Sequence, residues 1–98
     1  MRVVIAGGGN VGTFIAEDLA KAGHDVVIVE VDADRVAQAV AQGEPAGVQW
    51  IAADGCEVSE FARAGVDKAD VVAAVSGDDE DNLVISLLAK QEFAVPRV

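Results

Sequence analysis

Tyrosine is absent from the 98 residues, and Phe and Trp together reach only 4%. A core built around aromatic rings is therefore excluded, and the 52% hydrophobic fraction has to rest on Val, Ala, Ile and Leu. That is the composition of strands buried on both faces of a parallel sheet. Cations are scarce as well: seven Lys and Arg stand against 17 Asp and Glu, a net charge of −10. A nucleic-acid groove needs clustered Lys and Arg, and docking on anionic lipid needs a polybasic segment, so neither is expected. The single cysteine, Cys56, excludes an internal disulfide. The single histidine, His24, lies in "AGHD" with no second His and no Cys beside it to complete a metal site. No apolar run approaches the roughly 20 residues of a spanning helix, and no charged and apolar leader opens the chain. The reading is a cytoplasmic protein without direct membrane insertion.

What is present is an alternation of strand and helix patterns. Arg2 to Ala6 precedes a helix running to Ala22, and Asp25 to Val31 precedes a helix from Asp34 to Gln42. Val48 to Ala53 precedes a helix from Glu57 to Ala64, and Ala69 to Val75 one from Asp79 to Phe93. Such alternation predicts βαβ units and a single α/β domain over residues 1–98. Right-handed crossovers give a Rossmann-like, doubly wound parallel sheet of order 3-2-1-4, its crevice open at the carboxyl edge between strands one and four. Val11, Phe14, Ile15, Leu19 and Ala22 are expected to form the core face of the first helix. Asp32 is placed to cap the second helix, and Asp54 or Gly55 to open the third. The closing "AVPRV" is read as the approach to a fifth strand that the chain truncates.

The stretch "VVIAGGGNVGTFIAEDL", residues 3–19, carries the chemistry. Gly7, Gly9 and Gly12 fit G-x-G-x-x-G, directly after a strand and directly opening a helix. In that pattern the first glycine makes the tight turn, the second admits a pyrophosphate to the backbone, and the third packs helix on strand. A free helix N-terminus presents unpaired amides and about half a positive charge, so an acidic protein can hold an anion there without Lys or Arg. Glu30 follows Gly12 by 18 residues at the end of strand two, where a carboxylate meets an adenosine ribose. It would repel a 2′-phosphate, and Val31 beside it supplies no compensating charge, so NAD(H) is favoured over NADP(H). Arg35 lies beyond the strand end and could reach back.

Together with "VVIVEVDADRV", the second half of the chain, with "AGVDKADVV" and "SGDDEDN", resembles the TrkA N-terminal domain, also called RCK, the regulatory nucleotide-binding domain of bacterial potassium transporters and channels. The resemblance implies a domain that binds NAD(H), or ATP or ADP, catalyses nothing, and changes the state of a membrane pore from its cytoplasmic side. It places the phosphates at Gly7, Gly9, Asn10, Val11 and Gly12, the ribose at Glu30, the adenine between Asp54 and Cys56, and Val75 and Ser76 on the far side. It also implies a homo-oligomer, a dimer or larger, working with an integral-membrane potassium-transporting subunit. Asn10 departs from the many relatives that carry Arg there, which removes a cation from the phosphate site.

The remaining features have plainer readings. Asp78, Asp79, Glu80 and Asp81 suit the positive end of the fourth helix. Asn82 is either a solvated helix residue or a polar group on the crevice. Cys56 has no neighbouring base and reads as a small helix-start residue rather than a nucleophile. Trp50 and Phe61 read as packing residues, and Leu83, Val84, Leu87 and Leu88 as mostly core, with one side free for a subunit contact. Two functions compete with the regulatory one: the nucleotide-binding half of an NAD-dependent oxidoreductase, and an assembly domain whose glycine turn is vestigial.

Overall fold

The computed structural model describes residues 1–98. In order along the chain lie β1 (Arg2–Ala6), α1 (Asn10–Lys21), β2 (Asp25–Glu30), α2 (Ala33–Gln42), β3 (Val48–Ala52), α3 (Val58–Arg63), β4 (Val71–Ala74) and α4 (Asp79–Gln91), with a 3-10 turn at Val66–Lys68 before β4. The four strands form one parallel sheet of order β3-β2-β1-β4, as the crossover rule requires. β2, β3 and β4 each end one residue short of the expected limit, and β4 begins two residues late, so Val31, Ala53 and Val75 fall in the loops at the carboxyl edge. None of the helices is long and apolar enough to cross a membrane.

Register divides the apolar side chains cleanly between the two faces, because successive residues of a strand point to opposite sides. Val48, Val26, Val3 and Val71 align across all four strands. The core on that face is Val3, Ile5, Val26, Ile28, Val48 and Ala16 of α1. The opposite face carries Val4, Ala6, Val27, Val29 and Val72 beneath Phe61 of α3 and Ile85 and Ala89 of α4. Phe61 meets Phe93 edge to face with centroids 5.8 Å apart, fixing the end of α4 over α3. Outside β4, Val71 pairs in parallel with Arg97, and the Val72 amide donates to the Arg97 carbonyl at 2.9 Å.

Two helices turn differently from their periodicity. On α1 the buried residues are Gly12 and Ala16, with Ile15 and Leu19 partly buried; Val11 and Phe14, expected in the core, are 60% and 73% exposed, and Ala22 is exposed too. The cause is Gly12: a Cβ there would overlap the Gly7 carbonyl oxygen. Backbone lies against backbone, so the smallest residues must face the strand and the larger ones rotate outward. On α4 the core face is Ile85 and Ala89 with Leu88 beside them, whereas Leu83, Val84 and Leu87 are exposed.

Caps follow the sequence at α2, where the Asp32 carboxylate accepts from the Asp34 and Arg35 amides. At α3 the opening comes later than expected. Asp54 instead closes a local turn on the Cys56 amide, and helical geometry begins after Glu57, which makes no side-chain cap.

Gly12→Ala is expected to lower the stability of the fold by about 1–3 kcal/mol, the usual cost of overpacking a tight contact. At Gly9 no atom would lie within 4 Å of a Cβ, so Gly9→Ala is expected to cost less, at most about 1 kcal/mol, the loss of a favoured residue at a helix N-cap. Urea unfolding of the two variants checks the contrast; equal midpoints would remove the close approach as the reason for Gly12.

Candidate functional site

The crevice between β1 and β4 opens at the carboxyl edge as a cleft of about 410 Å³. It has the size of a small-molecule site. Of the residues singled out in the sequence, Gly7, Gly9, Glu30, Val31, Arg35, Asp54, Cys56, Val75 and Ser76 line it together. They come from the end of β2, the first turn of α2 and the loops after all four strands, brought to one place because the strands run parallel. Asn10 is set apart: it lines an adjoining hollow of about 520 Å³ with Gly8, Gly9, Thr13, Phe14, Glu17 and Arg35. Val11 and Gly12 line neither. Gly12 acts through packing, and Val11 has only its amide to offer.

At the glycine turn, Gly7 has φ +126° and lies so close to the β4–α4 loop that a Cβ would come within 2.8 Å of the Val75 carbonyl and the Ser76 amide nitrogen. Only glycine accepts both conditions. The first helical bond of α1 runs from the Thr13 amide to the Gly9 carbonyl at 3.0 Å, which leaves the amides of Asn10, Val11 and Gly12 without acceptors inside the helix. Those donors, together with open space at Gly9, suit a diphosphate approaching the backbone.

Glu30 is the only charged side chain buried in the protein. Three donors compensate for its burial: Oε1 accepts from the Gly8 amide at 2.8 Å and from Arg35 Nη1 at 3.2 Å, and Oε2 accepts from the Asp32 amide at 2.7 Å. The carboxylate therefore ties the glycine turn to the end of β2 as well as facing the cleft. Trp50 packs over the same turn, its ring where a Gly8 side chain would be.

The far wall carries residues that the sequence pattern did not assign to the cleft, namely Gly55, Gly77, Asp78, Asp81 and Ile85. Only the fold could place them, since nothing local marks the first turn of α4 as facing the glycine turn. Asn82 is half-buried and does not line the cleft. Its Oδ1 accepts from the Ser76 amide at 2.8 Å and the Ser76 hydroxyl at 2.6 Å, and its Nδ2 donates to the Ser76 carbonyl at 3.0 Å. The side chain clamps the loop that packs on Gly7.

Asp78 caps α4 by accepting from the Asp81 amide at 2.9 Å, so part of the acidic run is spent on the helix end as read. Asp78 and Asp81 nevertheless join Glu30 and Asp54 on the cleft wall, where Arg35 is the only basic side chain. Between Asp54 and Asp81, the Cys56 thiol is pushed up to about 11, by burial first and then by the two carboxylates. Burial and both carboxylates disfavour a thiolate there, and the Cys56 side chain lines the cleft. Its alkylation by iodoacetamide is expected to be slow at pH 8 and to rise with pH through about 11. In denaturant the midpoint should fall to the ordinary thiol value near ~8.5. A native midpoint at that ordinary value would show that the carboxylates exert no hold on the thiol.

A parallel α/β sheet with a glycine turn and a buried acid at its switch point defines a domain of Rossmann-like fold. The family model described as the TrkA-N domain matches residues 3–98, and the chain belongs to that family. The Trk system potassium uptake protein TrkA of Mycobacterium tuberculosis is 41% identical over 99 residues, an alignment that takes in 100% of this chain and 43% of that protein. The TrkA homolog of Archaeoglobus fulgidus is 42% identical over 91 residues, with 93% of this chain and 20% of that protein covered. The chain thus spans less than half the length of these relatives. Among solved structures, the NAD(P)-binding domain of an exopolyphosphatase-related protein from Archaeoglobus fulgidus superposes with a TM-score of 0.75 at 22% identity, covering 93% of this chain and 65% of that one. Yeast methylglyoxal/isovaleraldehyde reductase Gre2, complexed with NADPH, gives 0.73 at 14% identity, covering 96% and 34%. At such identities these two establish the fold.

Proposed function

We propose that this domain binds NAD(H), with ATP or ADP as the alternative adenine nucleotide, and that binding regulates potassium uptake through an integral-membrane transporter or channel subunit. The observation that carries the reading is that Gly7 and Gly9, which lead into the unpaired α1 amides, share one cleft with the buried carboxylate of Glu30. The phosphates belong at Gly7, Gly9, Asn10 and the amides of Val11 and Gly12, and the ribose at Glu30. Adenine belongs beside Val31, Asp54 and Cys56, with Val75 and Ser76 on the far wall. The family membership and the potassium-uptake names of its relatives support the regulatory role.

No chemistry is assigned to the cleft. Its polar lining is carboxylates, Arg35, the Ser76 hydroxyl, backbone and the Cys56 thiol, with no Lys, Tyr or His to act as proton donor beside a nicotinamide. The domain instead acts by differential binding: a nucleotide that prefers one arrangement of the domain shifts its population, and the membrane partner responds. The partner places the domain at the cytoplasmic face of the membrane.

Titration with NADH, read by energy transfer from Trp50 beside the glycine turn, tests the reading directly. Saturable transfer is expected in the wild type, and Gly9→Ala, which leaves the fold in place, is expected to weaken NADH by roughly tenfold by blocking the backbone approach. No transfer and no heat of binding with NADH, ATP or ADP would overturn it, and sustained substrate-dependent NADH formation would favour the oxidoreductase alternative.

Assembly is part of the same proposal. Leu83, Val84 and Leu87 form an exposed apolar strip on α4, and strips of that kind mark contacts between chains. We assign it to a homo-oligomer, with the outer edge of β4 near Arg97 as its neighbour. Light scattering over a concentration series should show self-association that Leu87→Glu reduces; a wild-type monomer throughout would sink this assignment.

A further inference from the structure

The only cation on the cleft wall is already engaged. Arg35 Nη1 lies 3.2 Å from Glu30 Oε1, the same oxygen that the Gly8 amide holds at 2.8 Å, while Oε2 takes the Asp32 amide. A carboxylate offers about four acceptor positions, so about one is left for a ligand. An adenosine ribose presents two hydroxyl donors. One can be accepted with Arg35 in place; the second requires Arg35 to leave. Arg35 is free to do so: its side chain is 50% exposed against 6% for Glu30, and it borders both the cleft and the hollow formed by Gly8, Gly9, Asn10 and Thr13.

Resting on the nucleotide reading above, we propose that Arg35 is a specificity-determining residue that narrows the discrimination Glu30 imposes against a phosphorylated ribose. An unmodified ribose competes with the guanidinium for Glu30. A ribose carrying a 2′-phosphate has one hydroxyl fewer to place and needs only the position still open. Its phosphate also gives the guanidinium a partner for paired hydrogen bonds, the geometry for which Arg is suited and Lys is not. Glu30 holds the same guanidinium and Glu17 lines the same hollow, and both oppose the phosphate, so NADH keeps a modest lead rather than losing it. One arginine thus has opposite effects on the two cofactors.

The test is the ratio of the NADPH and NADH dissociation constants in wild type, Arg35→Gln and Arg35→Lys, at fixed salt, with thermal melts confirming that each variant folds. In Arg35→Gln, NADH is expected to bind about threefold tighter, since an exposed ion pair opposes it by little. NADPH is expected to bind roughly tenfold weaker, since a charge-assisted contact is lost. Arg35→Lys, which keeps the charge but not the fork, should fall between. A merely structural role would weaken both nucleotides together and leave the ratio unchanged, and that outcome overturns the proposal while leaving the nucleotide site intact. Failure of the wild type to bind either nucleotide overturns the site and the role of Arg35 with it.

Discussion

The contact on which the rest of the molecule depends is the approach of Gly12 to the carbonyl of Gly7, too close for any side chain between them. It presses the first turn of α1 onto the end of β1 and so settles how the helix is rotated. Ala16 goes to the sheet, Val11 and Phe14 go to solvent, and the unpaired amides of Asn10, Val11 and Gly12 are delivered to the carboxyl edge. Moving the helix outward by the width of a methyl group would loosen the packing and draw the donors away from the cleft at once. The packing of α1 and the placing of its amide donors are coupled at this one point.

Around that contact the cleft is held by polar groups with their bonding largely filled. Glu30 joins the glycine turn to β2 and to Arg35, and Asn82 pins the β4–α4 loop that rests on Gly7. A buried carboxylate without partners would cost several kcal/mol, so the three donors on Glu30 are a condition of its being there. The cleft is acidic, with Glu30, Asp54, Asp78 and Asp81 on its walls. An anionic ligand can still be held because its charge would lie at the α1 N-terminus, where amide donors act at contact distance. Asp78 and Asp81 are exposed and act through solvent, where a charge pair at 4 Å is worth only about 1 kcal/mol at the dielectric constant of water.

Much of this arrangement is legible one segment at a time. Valine-rich runs separated by helical patterns give parallel strands, and right-handed crossovers then give the order β3-β2-β1-β4. The Asp32 cap and the glycine turn are likewise local, since each is written within a few consecutive residues. The clamp by Asn82 is not: it lies six residues from Ser76, and only the path of the loop between them brings the two together.

The sequence by itself determined the fold class, the strand order and the place of the glycine turn and Glu30 at the switch point. These follow from a period of two in strands, from capping and turn chemistry, and from the handedness of crossovers, all of which act over short stretches of chain. Tertiary structure decided which side of each helix faces the sheet, as the exposure of Val11, Phe14, Leu83, Val84 and Leu87 shows. It also decided which far-wall residues complete the cleft, and that Glu30 shares an oxygen between Gly8 and Arg35. Helical periodicity marks an apolar face but not its rotation. That angle is set where two backbones meet, and no single segment contains both sides of the contact.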